Sequence, residues 1–352
     1  MSLQLTDNPG QHALYPFRRP WHKINESLNV SDGHSYTKVF GHSNLSQAPI
    51  DTGWFALLIS LSSCAIILNT LVLLSFLSKK VKPSASEALI FNLVSAVLMQ
   101  SSSKLFVITL YSGKVVYSHS EIVCKSIMFF HMLSYDAITW SDLILCINRF
   151  VALCVPQYYR IFKKRATVAA FLTVAWSAAF ASAILPIFDF RGSYKQIPPA
   201  NMCAFAIFGK AALLSGVVSL LAPVSITAIL YLIAVVHLLR KRWKGHLIDQ
   251  EVIKTVTEHG SELAHYHASK LKRCHRMFIT ILVMFCCYTV CILPMPLVQS
   301  TMAEYFLTHT WLQLLMRTLT QMAHILIPII LLSMNREYRH RIRDLLWTVI
   351  CR

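Results

Sequence analysis

Seven long apolar segments dominate the hydrophobic pattern of the chain. They lie near residues 53–78, 86–110, 121–155, 166–188, 209–240, 270–301 and 309–334. Each has about twenty or more residues, the length that an α-helix needs to cross a bilayer. A shorter stretch, 335–349, carries apolar residues on one helical face and arginines on the other, which is typical of a helix in the membrane interface. The pattern predicts an all-α membrane protein, a seven-transmembrane helix bundle with a short amphipathic eighth helix.

The composition agrees with this prediction. Of the 352 residues, 55% are hydrophobic and 14% are charged, whereas a soluble domain carries roughly a quarter charged residues. Residues 1–20 lack the apolar core of a signal peptide, so we expect the first span to direct membrane insertion. The net charge of +17 would suit a nucleic-acid partner, but its distribution along the chain argues against one.

The polar tail before the first span contains three N-x-S glycosylation acceptors, at Asn25, Asn29 and Asn44. Acceptors of this kind are modified in secreted or extracellular segments. Counting from an outer N-terminus, 21 of the 33 Lys and Arg residues fall in the inner segments 79–85, 156–165, 240–276 and 335–352. An excess of basic residues marks the cytoplasmic loops of membrane proteins. Both patterns predict an extracellular N-terminus and a cytoplasmic C-terminus.

The predicted organisation therefore has three parts. They are an extracellular glycosylated tail (1–52), the bundle (53–334), and a cytoplasmic amphipathic helix with the C-terminus (335–352). The positive charge mostly marks topology and faces membrane lipid and cytosolic partners, so no nucleic acid is expected. We expect a multi-pass protein of the plasma membrane.

No sequence pattern indicates catalysis or metal binding. The ten cysteines form no Cys/His cluster with metal-ligand spacing, and no nucleophile–base pair stands out. We expect no metal, no cofactor and no enzymatic activity. A transporter or channel that uses Asp142, His324 and Lys104 as an ion path is an alternative, although the chain lacks the internal repeat common in transporters.

Polar residues inside the spans are informative because a bilayer makes them costly. At helical spacing, one stripe of the third segment holds His131, Tyr135, Thr139, Asp142, Cys146 and Arg149. We take this stripe to face inward. We hypothesise that Asp142, Asn69 and His324 form the polar centre of the bundle. The alternative is that Asp142 is a neutral or hydrogen-bonded acid with a structural role only, and that Arg149 merely snorkels to headgroups.

Several residues, taken in order, resemble those of one family. They are Asn69, Asn92, Cys124, Arg149, Pro156, Trp176, Pro186, Cys203, Pro223, Tyr231, Pro294 and Pro328, followed by the segment 335–339. With seven spans and an outer N-terminus, the chain resembles the rhodopsin-like (class A) G-protein-coupled receptors from about residue 53 to residue 351. The Asn148-Arg149-Phe150 triplet and the loop after it are also similar to nematode-type chemosensory receptors.

The resemblance implies a receptor that binds an extracellular small-molecule or peptide ligand and promotes nucleotide exchange on a heterotrimeric G protein. It places the ligand beside Lys104, His131, Tyr135, Arg317 and Gln321. It places the G protein beside Asn148, Arg149, Phe150 and Tyr231. It also implies a disulfide between Cys124 and Cys203, and Cys351 is a palmitoylation candidate or a plain thiol at the membrane edge.

Two interpretations of the ligand pocket stay open. Its cationic side chains would suit a carboxylate or another anionic ligand. Alternatively, Arg317 pairs with Glu304 and Lys104 turns outward, which would leave an apolar pocket. The chain also has no lysine within 309–334 to bind retinal as a Schiff base.

The chain departs from the family pattern at several positions. The usual acid before the arginine is Asn148, and Val97, Ile292 and Ile327 replace an aspartate, a tryptophan and an asparagine. A sodium site of the usual kind is therefore not expected. Because Asn148 cannot form an ion pair with Arg149, we expect a weakly latched receptor with measurable basal activity. A receptor-like protein that has lost coupling is the main alternative.

Overall fold

A computed structural model describes most of the membrane-spanning part of the chain. The described residues are 52–78, 84–112, 121–190, 193–197, 202–206, 217–256, 278–301, 305, 309–334 and 336–350. The glycosylation acceptors Asn25, Asn29 and Asn44, and Cys351, lie outside them.

Eight helices carry the fold. They are α1 (Thr52–Leu77), α2 (Ala85–Ser112), α3 (Glu121–Cys154), α4 (Arg165–Ile184), α5 (Ala222–Val256), α6 (Phe278–Val298), α7 (Thr310–Met334) and α8 (Arg336–Ile350). The last part of α6 belongs to a helical segment, Pro294–Thr301, that continues past Val298. A 3-10 turn, Leu185–Phe188, extends α4, and a π turn, Val217–Leu221, precedes α5. One helical turn, Tyr159–Phe162, lies between α3 and α4.

Seven of the described helices, α1 to α7, are long and apolar enough to cross a membrane. Their outward surfaces are hydrophobic: Ile67, Ile229 and Val290 are 60%, 56% and 70% exposed. In water such exposure would be unfavourable, but in a bilayer these side chains contact lipid while the helices satisfy their own backbone groups. The predicted seven-transmembrane bundle with an eighth helix is confirmed.

The helix α3 lies at the centre of the bundle. It contacts α2, α4 and α5 along its length, and most of its residues between Ser134 and Arg149 are buried. Asn92 on α2 ties this centre together, because its amide donates to Ser141 Oγ (2.7 Å) and its carbonyl oxygen accepts from Trp176 Nε1 (2.8 Å). Three helices, α2, α3 and α4, are thus fixed in register by one side chain.

A β-hairpin covers one end of the bundle, which we call the disulfide end. Strands β1 (Ser193–Ile197) and β2 (Met202–Ala206) pair antiparallel. Cys203 on β2 is joined to Cys124 on α3 by a disulfide, with a Cα–Cα distance of 5.5 Å. The predicted disulfide is therefore present. The all-α prediction did not include the hairpin.

Tyr194 anchors the hairpin to the bundle. Its side chain is fully buried, and its hydroxyl donates to the carbonyl oxygen of Ala183 on α4 (2.8 Å). Burial raises the pKa of this phenol, so it stays a hydrogen-bond donor. Nearby, Lys125 on α3 forms ion pairs with Glu121 (2.8 Å) and Asp189 (3.8 Å), which links the start of α3 to the end of α4.

The opposite end of the bundle, which we call the α8 end, is closed on one side by α8. Tyr338 is 1% exposed, with its ring 4.9 Å from the ring of Phe76 on α1. Arg341 donates through Nη2 to Glu87 Oε1 on α2 (3.2 Å), so this arginine binds the bundle rather than facing away from it. Glu87 also accepts from the backbone N–H of Ser84 (2.8 Å), which makes the first turn of α2 a capping box.

Candidate functional site

Arg149 lies at the α8 end of α3 and is only 6% exposed. Its guanidinium interacts electrostatically with Tyr231 on α5, whose ring lies 5.8 Å from that of Phe278 and 5.1 Å from that of Phe285 on α6. A charged group held among three helices is not directed into the headgroup region. This burial favours a role inside the bundle over the snorkelling alternative.

Asn148, beside Arg149, bonds to α2 instead of the arginine. Its Oδ1 accepts a hydrogen bond from Ser86 Oγ (3.1 Å), and both side chains are buried. Phe150, on the other side of Arg149, is partly buried against the hydrophobic core. The four predicted coupling residues Asn148, Arg149, Phe150 and Tyr231 thus cluster at the α8 end.

Asp142, two turns before Arg149, borders a small internal cavity of about 10 Å³. That volume suits a single water molecule. The cavity wall is otherwise mostly apolar, and it consists of Leu93, Ile138, Met284, Tyr288 and Ile327. Among the described residues, Asp142 interacts electrostatically with Tyr288, Tyr231 and Cys146. It therefore faces the interior of the bundle, within range of Tyr231 on α5 and Tyr288 on α6 and beside a cavity that α2 and α7 also line.

Asn69 and His324 form a different polar group, between α1 and α7. Asn69 Nδ2 donates to the backbone oxygen of His324 (3.1 Å). No hydrogen bond links either residue to Asp142 within the described part of the chain. The structure thus brings Asn69 and His324 together and holds Asp142 apart from them.

The hydrogen bonds around His324 determine where its proton lies. Ser62 donates its hydroxyl proton to Leu58 O (2.8 Å), so Gln321 Nε2 must donate to Ser62 Oγ. Gln321 Oε1 then faces His324 Nδ1 at 3.3 Å, which requires the proton on Nδ1. In the neutral ring, His324 Nε2 is then a buried acceptor with no partner among the residues that the structure describes.

A group of nitrogen-bearing side chains lies between α2, α3 and α7 toward the disulfide end. We call Gln100, Lys104, His131 and Arg317 the donor cluster. Electrostatic interactions connect Lys104 with Arg317, and His131 with both of them. Gln100, one turn from Lys104, accepts from Ser134 on α3 through Oε1. Three predicted ligand residues, Lys104, His131 and Arg317, therefore lie together.

The other two predicted ligand residues have different surroundings. Gln321 uses both of its amide atoms in contacts with Ser62 and His324. Tyr135 lies farther along α3, within electrostatic range of Tyr288 on α6. The donor cluster is thus centred on α2, α3 and α7.

Positions where the chain departs from the rhodopsin-like pattern are filled by well-packed apolar residues. Val97, Ile292 and Ile327 are 0%, 2% and 3% exposed and belong to one hydrophobic core. Buried polar groups at these positions would need partners. The polar contacts are carried elsewhere, by Asn69 with His324 and by Asn92.

Sequence reasoning missed three contacts beside these sites. Gln100, which belongs to the donor cluster, accepts a hydrogen bond from Ser134. Ser86 donates to Asn148, and Glu87 accepts from Arg341. The sequence held signals for two of them. Gln100 is four residues before Lys104, on the same helical face, and Ser84-Ala-Ser-Glu87 has the capping-box pattern.

Comparison with known proteins identifies the fold. The model of the seven-transmembrane receptor (rhodopsin) family matches residues 68–331. A search of curated proteins finds no significant match to this chain. The matched range begins beside Asn69 on α1 and ends near the end of α7, so it includes the donor cluster, the Asp142 cavity and Arg149. The chain therefore belongs to the rhodopsin family of seven-transmembrane receptors.

Proposed function

We propose that this multi-pass plasma-membrane receptor binds an extracellular ligand at the disulfide end and promotes nucleotide exchange on a heterotrimeric G protein at the α8 end. The observation that carries the proposal is Arg149, buried beside Tyr231 where α3, α5 and α6 meet. In the proposed mechanism, an outward movement of α6 in the active state would expose this charged group. A G protein would then stabilise the open state.

The topology follows from the same proposal. The disulfide end is extracellular, since a disulfide persists in an oxidising compartment. The N-terminal tail is then extracellular and glycosylated at Asn25, Asn29 and Asn44. The α8 end faces the cytoplasm, where Cys351 is the candidate lipid anchor after α8. In a narrower form of the proposal, the extracellular ligand is a chemosensory one.

Two contacts at the α8 end would hold the resting state. The hydrogen bond from Ser86 to Asn148 joins α2 to α3, and the Glu87–Arg341 pair joins α2 to α8. A neutral hydrogen bond contributes about 1 kcal/mol, less than a charged one. Asn148 carries no charge, so it restrains Arg149 less than an acidic side chain at the same position would. We therefore expect some nucleotide exchange without ligand.

A cell-free exchange assay tests the proposal. The purified receptor in lipid nanodiscs is mixed with a panel of heterotrimeric G proteins covering the main subtypes, and guanine-nucleotide uptake is followed. We expect uptake above that of empty nanodiscs for at least one subtype. A receptor-like protein that has lost coupling would accelerate none of them.

Replacing Asp142 by leucine tests the role of the polar cavity. The substitution removes the carboxyl group between α3 and Tyr288, so the balance between resting and open states should change. Exchange should differ from wild type by at least about threefold, which corresponds to about 0.7 kcal/mol or more. Ile138→Val, in the same cavity wall, is the control. Unchanged exchange, surface expression and apparent Tm for Asp142→Leu would assign Asp142 a structural role only.

A further inference from the structure

The donor cluster holds more hydrogen-bond donors than its neighbours can satisfy. Among the described residues, Lys104 Nζ is buried without a hydrogen-bond partner, and so are Gln100 Nε2 and His131 Nδ1. An ammonium group has three donors and no acceptor, so burial without a partner costs several kcal/mol unless a counter-charge is supplied. The arrangement is thus incomplete as it stands.

The charges around Lys104 increase this cost. Arg317 and Lys104 repel each other, and both act on His131. His324 lies within electrostatic range of Lys104, and its Nε2 can accept a hydrogen bond. A neutral imidazole, however, cannot balance a positive charge. No described acidic side chain interacts with Lys104 or His131.

Six carboxylates have described side chains and other surroundings: those of Glu87, Glu121, Asp136, Asp142, Asp189 and Asp344. They pair with Arg341 and with Lys125, accept from Ser182, border the Asp142 cavity, or lie beside Arg343 on α8. The charge that would balance Lys104 therefore does not come from the described part of the chain. A bound molecule can supply it.

We infer that the donor cluster binds the carboxylate group of a small organic acid. A single carboxylate balances the Lys104 charge, and its oxygens accept hydrogen bonds from Lys104, Gln100 and the planar guanidinium of Arg317. His131 offers a further ring nitrogen, and the rest of the acid extends toward Tyr135 on the inward stripe of α3. The inference rests on the proposed receptor function and specifies the ligand class that this site takes.

Thermal stability of the purified receptor in nanodiscs, without G protein, tests the inference. The probes are acetate, butyrate, hexanoate, octanoate, succinate and benzoate, each with the alcohol or primary amide of the same carbon skeleton. We expect at least one acid to raise the apparent Tm while its neutral counterpart does not. Neutral compounds that act equally well, or no acid that acts at all, would overturn the inference.

Lys104→Met separates the role of the charge from that of packing, since methionine fills most of the lysine volume. Without ligand its apparent Tm should rise, because an uncompensated buried charge is removed. The acid concentration for a half-maximal Tm shift should increase by about tenfold or more, as expected for loss of a charged hydrogen bond. An undiminished response of Lys104→Met to the acid would overturn the inference.

Lys125→Met is the matched control. It removes the same charge from the same end of the bundle, but Lys125 already pairs with Glu121 and Asp189. Its Tm without ligand should not rise, and its acid response should stay within about twofold of wild type. Because these measurements need no G protein, a receptor that binds acids but fails to drive exchange would contradict only the coupling proposal.

Discussion

Arg149→Ala is expected to reduce nucleotide exchange to the level of empty nanodiscs. The guanidinium is a charged group that is buried where α3 meets Tyr231 on α5. In the open state it would form charge-assisted hydrogen bonds with the G protein, each of which contributes about 1.5–3 kcal/mol. Losing that energy from the exchange transition state lowers the rate by about tenfold or more.

The control for this prediction is Arg343→Ala, which removes an equal charge from the same end of the bundle. Arg343 is exposed on α8 and contacts His340 and Asp344. We expect exchange within about twofold of wild type, because exposed ion pairs contribute little. Both variants should reach the cell surface with an apparent Tm near that of wild type. Undiminished exchange by a folded Arg149→Ala variant would remove Arg149 from the coupling site.

Cys203→Ser is expected to cause the largest loss of stability. The disulfide closes a loop between positions 79 residues apart, and loop-closure entropy assigns about 4.5 kcal/mol to a loop of this length. This is an upper limit, because the spanning helices persist in the unfolded membrane state. The hairpin should loosen at the same time, since it would keep the Tyr194 hydrogen bond to α4 but lose its covalent link to α3. Thermal unfolding and surface expression measure both effects.

Cys64→Ser is the matched control for the disulfide. Cys64 is a free, exposed thiol on α1, so this change should leave the apparent Tm and the surface expression unaltered. Cys124→Ser should behave like Cys203→Ser, and the double variant should be no less stable than either single one, because all three lack the same bond. Additive losses in the double variant would show that the two cysteines act separately.

The spanning segments were predictable because their signal is strong. A segment that must cross about 30 Å of hydrocarbon is long and uninterrupted, and the third span predicted near 121–155 is Glu121–Cys154 in the structure. The fifth span was predicted near 209–240, and α5 continues past it to Val256. The disulfide between Cys124 and Cys203 followed from the family resemblance and is present.

Side-chain partners were less predictable because they depend on the rotation of each helix about its own axis. Asp142 and the Asn69–His324 group were expected to form one polar centre, yet α3 turns Asp142 toward Tyr288 while Asn69 faces α7. Apolar periodicity determines such a rotation only to within a broad face. The hairpin β1–β2 was also not predicted. Its strands have only five residues each, and they are stabilised by contacts with distant residues, which are the Tyr194 hydrogen bond and the disulfide.

The most direct measurement compares basal exchange by wild type, Asn148→Asp and Arg149→Ala in nanodiscs, without ligand, on the G protein that the panel selects. We predict measurable exchange by wild type, slower exchange by Asn148→Asp because the new carboxylate pairs with Arg149, and background exchange by Arg149→Ala. Wild-type exchange no faster than that of empty nanodiscs, or equal rates for all three proteins, would contradict a weakly latched receptor that couples through Arg149.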